Sequence, residues 1–295
     1  MLYCLIVSIR NFLYDKGILS SYRSSLQTIC VGNLAVGGTG KTPHSELIIR
    51  ELLKQGKRVA YLSRGYKRTS QGLVVATPQS TSFDLGDEAL QVRRKFPEIV
   101  VVVDANRKEA LQYLETQNID VVVLDDAFQH RAVTPTKSIV LIDWSMDINR
   151  EKLLPFGRLR EPVNGLRRAD IVVFTKCPSD ISAEEREKRK ALVLQYGVKN
   201  VRFSKIVYEP IDVASDTDVL LLTAIENPKP LVNHLEKELN HKVELHKYLD
   251  HHRFTETEIA KAKASGKPII TTEKDWCRMN CPKDFIVAKI SCEII

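Results

Sequence analysis

Between Thr28 and Thr42 the chain reads TICVGNLAVGGTGKT, and no other stretch limits its fold so sharply. Thr28 to Gly32 is apolar and β-prone, the composition of a buried strand. Gly37, Gly38, Thr39 and Gly40 then lead into Lys41 and Thr42. Pro43 follows at what reads as the first turn of a helix, where its missing N–H costs nothing. Strand, glycine loop and helix N-terminus in that order form an anion cradle. Backbone N–H groups and the positive end of the helix dipole converge there on a phosphate chain. Lys41 is placed to reach the β- and γ-phosphates, and the Thr42 hydroxyl to ligate Mg²⁺. The strict spacing has glycine at position 35, where this chain has Ala35. An accidental glycine-rich loop is the bland alternative, and the Lys-Thr register argues against it.

Downstream of the cradle, helical and strand-like segments alternate. Ser45 to Lys54, Asp87 to Lys95 and Asn106 to Thr116 read as helices. Val59 to Tyr66 reads as a strand running into a loop, and Ile99 to Asp104, Asp120 to Asp126, Ser138 to Asp143 and Ile171 to Lys176 read as strands, most of them ending in Asp. Continuous β-branched strands between helices predict a parallel sheet covered on both faces. Ligands in such sheets bind beyond the carboxyl ends of the strands. Asp104, Asp125, Asp126 and Asp143 stand at those ends, level with the glycine loop. Ser182 to Tyr196 is a strongly charged helix with a solvated face. After Pro210 a second unit repeats strand and helix, with strands near 219–224 and 242–248 and a further strand and turn over 268–275. Helices are expected near 231–239 and 257–265.

The excess of 44 Lys+Arg over 37 Asp+Glu gives a net charge of +7, which suits anionic partners and equally suits plain solubility. The six cysteines form no C-x-x-C pair, and reduced buried thiols are the better reading than zinc. The N-terminal apolar run stops at Ile9, far short of the ~20 residues of a spanning helix. Leu2, Leu5, Ile6, Ile9, Phe12 and Leu13 recur at helical spacing, and spacing alone favours a helix packed on the protein's own core over one lying on a membrane.

The run ending in Asp125-Asp126 is a Walker-B-type element, able to hold carboxylates against the Mg²⁺ of a nucleotide. Capping of the next helix is its ordinary alternative. Gly157 to Pro162 packs Arg158, Arg160 and Glu161 into a short loop suited to phosphate, to a metal or simply to surface ion pairs. In Asp250-His251-His252, histidine beside an acid suits proton transfer; zinc lacks a third ligand at metal spacing. After Thr175-Lys176-Cys177 stands Pro178, so the guanine-reading Lys-x-Asp is missing and adenine nucleotide, ATP, is the default.

Taken in order, VGNLAVGGTGKTP, LSRGY, GDEA, LDDAFQHR, LLPFGRLREP, FTK, DHH and TTEKD resemble the tetraacyldisaccharide 4′-kinase family of Gram-negative bacteria. Ala127 and Ala224 stand where glycine is usual. The resemblance implies transfer of the ATP γ-phosphoryl group to the 4′-hydroxyl of tetraacyldisaccharide 1-phosphate, giving lipid IVA in lipid A biosynthesis. It implies Mg²⁺ held by Thr42, Asp125, Asp126 and Glu161. Asp104 and His251 match the pair that activates the sugar hydroxyl, alongside Lys41. Arg131 and Arg160, in the matched segments, are the expected substrate contacts. It also implies a peripheral enzyme at the cytoplasmic face of the inner membrane, docked by its N-terminal helix, with no nucleic-acid partner. The expected fold is a P-loop NTPase-type parallel sheet covered by helices, with a smaller α/β unit and an amphipathic N-terminal helix. The expected divisions are 1–24 for the membrane-associating helix, 25–205 for the kinase core and 206–295 for the C-terminal subdomain. A membrane-surface ATPase that acts as a nucleotide switch is the alternative.

Overall fold

The computed structural model describes residues 2–279 and 281–295, which divide into two compact units, 1–206 with 292–295, and 207–291. The first opens with helix α1 (Leu2–Asp15), β1 (Gln27–Asn33), α2 (Lys41–Lys54), β2 (Val59–Ser63), β3 (Val74–Val75), α3 (Ser82–Leu85) and α4 (Asp87–Lys95). It continues through β4 (Val100–Val103), α5 (Arg107–Glu115), β5 (Val121–Asp125), β6 (Lys137–Asp143), a 3₁₀ turn at Val163–Arg168, β7 (Ile171–Thr175), α6 (Ala183–Leu194) and β8 (Asn200–Tyr208). The second unit holds β9 (Asp218–Thr223), α7 (Lys229–Asn233), β10 (Lys242–Lys247), α8 (Glu256–Lys263), β11 (Ile269–Thr272), α9 (Glu273–Arg278) and β12 (Ile286–Ala288). Strand β13 (Ile290–Ile294) brings the chain back into the first.

The large sheet has the order β13-β8-β7-β6-β1-β5-β2-β4-β3. Its seven strands from β8 to β4 pair in parallel, and the two-residue β3 runs against β4. Every residue of β5 and β2 is buried, as strands covered on both faces require. Val31 stands opposite Asp125, and Ser63 opposite Val103, so that register brings the acid-bearing strand ends to one edge with the glycine loop.

Local chemistry sets the helix limits. Asn106 accepts from the Glu109 N–H at the start of α5, which turns Ala110, Leu111 and Leu114 into the core. A reciprocal Ser182–Glu185 capping box starts α6, of which Val193 is the one fully buried residue, as its charge implies.

In the second unit all four strands are parallel, in the order β10-β9-β11-β12. Val219 and Leu221 of β9 pack with Leu231, Leu235 and Ile270, while Leu220 and Leu222 pack with Ala262, Met279 and Phe285. Strand alternation thus gives this small sheet a core on each face.

Three expectations change. The helix expected over 231–239 is α7 followed by a π turn at His234–Glu238. Of the strand and turn expected over 268–275, the strand ends at Thr272, whose hydroxyl accepts from the Asp275 N–H and starts α9 where the turn was expected. The subdomain expected to run to 295 ends at 291, because β13 joins the large sheet. Nor does α1 bury the apolar stripe that spacing assigned to the core. Leu5, Ile6, Ile9 and Phe12 are 49–58% exposed, and Val7 is buried instead. Polar ties hold the helix: Tyr3 Oη donates to Arg160 O at 2.8 Å, Asn11 Nδ2 to Glu161 at 3.0 Å, and Asp15 accepts from Arg131 at 2.7 Å and pairs with Arg167. No described helix is long and apolar enough to cross a membrane.

Candidate active site

Past Asn33 the chain pairs with a distant segment before it turns. Arg160 N donates to Leu34 O at 2.7 Å and Val36 N to Arg158 O at 2.8 Å, with Ala35 bridged to Leu159. Ala35 is therefore buried in extended backbone, which alanine adopts without strain. The left-handed positions come later, at Gly37 (φ 105°) and Gly40 (φ 84°), where glycine is required. A methyl group on Gly37 or Gly38 would meet no atom within 4 Å, so these residues border open space.

The loop is tied from beneath. Asn33 Nδ2 donates to Thr39 Oγ1 at 2.9 Å, and Thr175 Oγ1, from the end of β7, to Thr39 O at 2.9 Å. No side chain caps α2, so the N–H groups of its first turn remain for an anion. His44 lies beneath that turn, its Nδ1 2.7 Å from Gly40 O and its Nε2 2.8 Å from Ser204 Oγ. A carbonyl only accepts, so Nδ1 carries the proton; burial pushes the imidazole pKa down, keeping it neutral.

Asp125 and Asp126 close the other side. A methyl group on Gly32 would stand 2.6 Å from Phe128 Cβ, so glycine at the end of β1 lets the chain after Asp126 cross closely. Asp126, at φ 47°, accepts both oxygens' worth of hydrogen bonds from Arg160 Nη1 at 2.8 and 2.9 Å and lies 3.8 Å from Lys41 Nζ. Asp125 is buried and its Oδ1 has no hydrogen-bond partner. Burial, then the neighbouring Asp126 charge, push its carboxyl up to about 7 against the pull of Lys41. An orphaned buried carboxylate oxygen beside a second carboxylate fits a cation bound with the nucleotide.

Asp104, one residue past β4, is also buried. Its Oδ1 accepts from Asn106 N at 2.9 Å while Oδ2 has no partner. Beneath it lies Arg107, which sequence reasoning missed. One terminal nitrogen donates to Asp104 O and the other to Asp125 O at 3.3 Å. The guanidinium thus clamps the ends of β4 and β5, and burial draws its pKa down to about 10. Its only signal in the sequence is a basic residue three positions after a strand-end Asp.

The other expected residues of this unit meet partners of their own. Glu161 is fully buried, with Oε1 taken by Gln129 at 2.9 Å and Oε2 by Asn11 at 3.0 Å and Arg168 at 2.5 Å. Among the described residues no three His, Cys, Asp or Glu side chains are placed to hold a metal. Glu161, expected at the metal, is held here by three donors from within the protein. Arg131, expected at the substrate, is spent on α1, donating to Asn11 O at 3.0 Å and to Asp15. Arg160 is on Asp126. His251 belongs to the second unit and Asp104 to the first.

A parallel sheet with a glycine loop, an uncapped helix start, a lysine and two acids at adjoining strand ends defines an α/β protein of the P-loop nucleotide-binding class. The comparisons are narrower. The family model for tetraacyldisaccharide-1-P 4′-kinase matches residues 1–294, and the chain belongs to that family. Tetraacyldisaccharide 4′-kinase of Parabacteroides distasonis is 44% identical over 303 residues, covering 94% of this chain and 82% of that protein. The Flavobacterium johnsoniae enzyme is 42% identical over 297 residues, covering 96% and 86%. The crystal structure of the "apo" form of LpxK from Aquifex aeolicus in complex with ATP superposes with a TM-score of 0.78 at 28% identity, over 100% of this chain and 92% of that one.

Proposed function

We propose that this protein transfers the γ-phosphoryl group of ATP to the 4′-hydroxyl of tetraacyldisaccharide 1-phosphate, the step that yields lipid IVA. Family membership along the whole chain supports the reaction. The observation that carries the chemistry is the pair of buried, unpartnered carboxylate oxygens, Asp125 Oδ1 and Asp104 Oδ2, at strand ends beside the glycine loop.

The roles divide accordingly. Backbone N–H groups of Gly38 to Thr42 and the Lys41 ammonium bind the triphosphate. Thr42, Asp125 and Asp126 are the residues that would hold Mg²⁺, which when bound supplies neutralising charge on the β- and γ-phosphates. Arg160 orients Asp126. Asp104 Oδ2 accepts the proton of the 4′-hydroxyl as its oxygen bonds to phosphorus and the bond to ADP breaks. Because the transition state is loose, an acceptor in place is enough. His251 assists as a hydrogen-bonding group, a role that rests on the family resemblance.

The exposed apolar side of α1 supports peripheral contact with a bilayer, where an acylated substrate must stay. The proposed site of reaction is the cytoplasmic face of the inner membrane, and no nucleic-acid partner is proposed. A switch that merely hydrolyses ATP would have no use for Asp104 Oδ2, and this reading is not favoured.

Purified protein given ATP, Mg²⁺ and the disaccharide lipid is expected to yield a product heavier by one phosphoryl group in mass spectrometry. Lys41→Ala and Asp104→Ala should each lower turnover by about 10²-fold or more with circular dichroism unchanged. Free phosphate as the sole product would overturn the assignment, and undiminished turnover in Asp104→Ala would remove Asp104 as base.

A further inference from the structure

In the second unit, a buried relay runs from α9 to His251. Asp275 is fully buried. Its Oδ2 accepts from Thr223 Oγ1 at 2.7 Å, Thr272 Oγ1 at 2.8 Å and Ala224 N at 3.1 Å. Its Oδ1 accepts from Arg278 Nη1 at 2.9 Å, one helical turn on. So anchored, the Arg278 side chain is 2% exposed, and Nη1 also reaches Ala224 O at 3.3 Å. Its other terminal nitrogen, Nη2, lies 3.0 Å from His251 Nδ1.

Chemistry makes this contact directional. A guanidinium has five N–H donors and no acceptor, and it keeps its charge. At 3.0 Å the hydrogen bond exists only if Nδ1 offers its lone pair. The ring proton of neutral His251 then sits on Nε2, which is 3.5 Å from Asp250 Oδ2. The backbone holds the ring in place: His251 has φ 66°, and its N–H donates to Ala224 O at 3.3 Å, the residue that Asp275 and Arg278 also grip.

We propose that Arg278, braced by Asp275, is a positioning residue that locks His251 in the Nε2–H tautomer, so that His251 serves phosphoryl transfer as a hydrogen-bond donor and not as its proton acceptor. The inference rests on the role given to His251 above. The proton of the attacking hydroxyl goes to Asp104, and the neutral His251 ring keeps its one N–H at Nε2.

Uniformly ¹⁵N-labelled protein tests this through two-bond nitrogen–proton spectra of its imidazoles. The His251 signals are identified by their loss in His251→Ala. Wild type is expected to show a single pattern for His251, that of the Nε2–H tautomer. Arg278→Met should blend the two tautomers and lower kcat by about 10- to 100-fold with KM for ATP unchanged. Arg278→Lys, which again can only donate, should restore the pattern and most of the rate. An Nδ1–H or mixed pattern in the wild type overturns the proposal without any variant. So does Arg278→Met with an unaltered tautomer and rate. Full turnover in His251→Ala would instead overturn the role of His251 itself.

Discussion

Two glycines of the loop hold left-handed backbone, and the position where the strict motif has its first glycine does not. Gly40→Ala should cost about 1–2 kcal/mol, the strain of φ 84° on a side chain, and weaken ATP binding. Ala35→Gly, which restores the strict motif, should lower stability by roughly 0.5–1 kcal/mol with no gain in ATP affinity. Urea unfolding and nucleotide titration check both, and an affinity gain in Ala35→Gly would refute the structural reading of the loop. His130 makes a pH-dependent contribution. Burial first, then Arg107, Arg64 and Arg10, push its pKa from 6.5 to about 4. Above pH 6.5 it is neutral folded or unfolded and contributes nothing. As pH falls below 6.5 the unfolded chain takes up the proton first, so stability drops until pH reaches about 4. Allowing for its partial exposure, the loss is on the order of 1–3 kcal/mol. His44, pushed down likewise, acts in the same direction. His130→Gln should flatten the stability profile between pH 4 and 6.5, and an unchanged slope there would contradict this account.

Among the elements, α1 has its polar side spent on the protein and its apolar side exposed. Exposed substitutions on it should change folding stability by less than about 0.5 kcal/mol. Burying an Ile in lipid is worth about 1.5–3 kcal/mol, so Ile6→Asp with Ile9→Asp should lower vesicle binding more than tenfold. Flotation with anionic vesicles measures it, while ATP binding should stay as in wild type. Equal flotation of both proteins would mean that α1 is not the docking element. Helical spacing named the stripe on this element. It could not say which way the stripe faces, because that depends on Asn11 meeting Glu161 and Asp15 meeting Arg131, partners more than a hundred residues apart.

For the whole molecule, the glycine loop, Lys41 and the strand-end acids lie in the unit that holds the large sheet, while the second unit has its own two-faced core. Ligand that binds the native state alone stabilises it by about 2.7 kcal/mol at a hundredfold excess over Kd. ATP with Mg²⁺ should therefore raise the unfolding transition of the first unit in calorimetry, and Lys41→Ala should abolish the shift. A shift undiminished in Lys41→Ala would place the nucleotide elsewhere. The first unit was largely legible beforehand: strands of unbroken Val, Ile and Leu can only be covered parallel strands, and parallel strands align their carboxyl ends. Less was legible at the edges, where β3, β12 and β13 have two to five residues each and take their pairing from the neighbouring strand.

By itself, the sequence determined the strand–glycine loop–helix order, the parallel sheet and the placing of Asp104, Asp125 and Asp126 at one edge of it. Each of these follows from local composition and from the geometry that parallel pairing imposes. Only the tertiary structure decided that Ala35 needs no glycine, that Arg107 clamps two strand ends, that Glu161 accepts from Gln129, Asn11 and Arg168, and that Arg278 meets His251. In every such case a side chain's chemistry depends on which distant donors surround it. Hydrogen-bond partners and burial, unlike periodicity, are properties of the folded contact set.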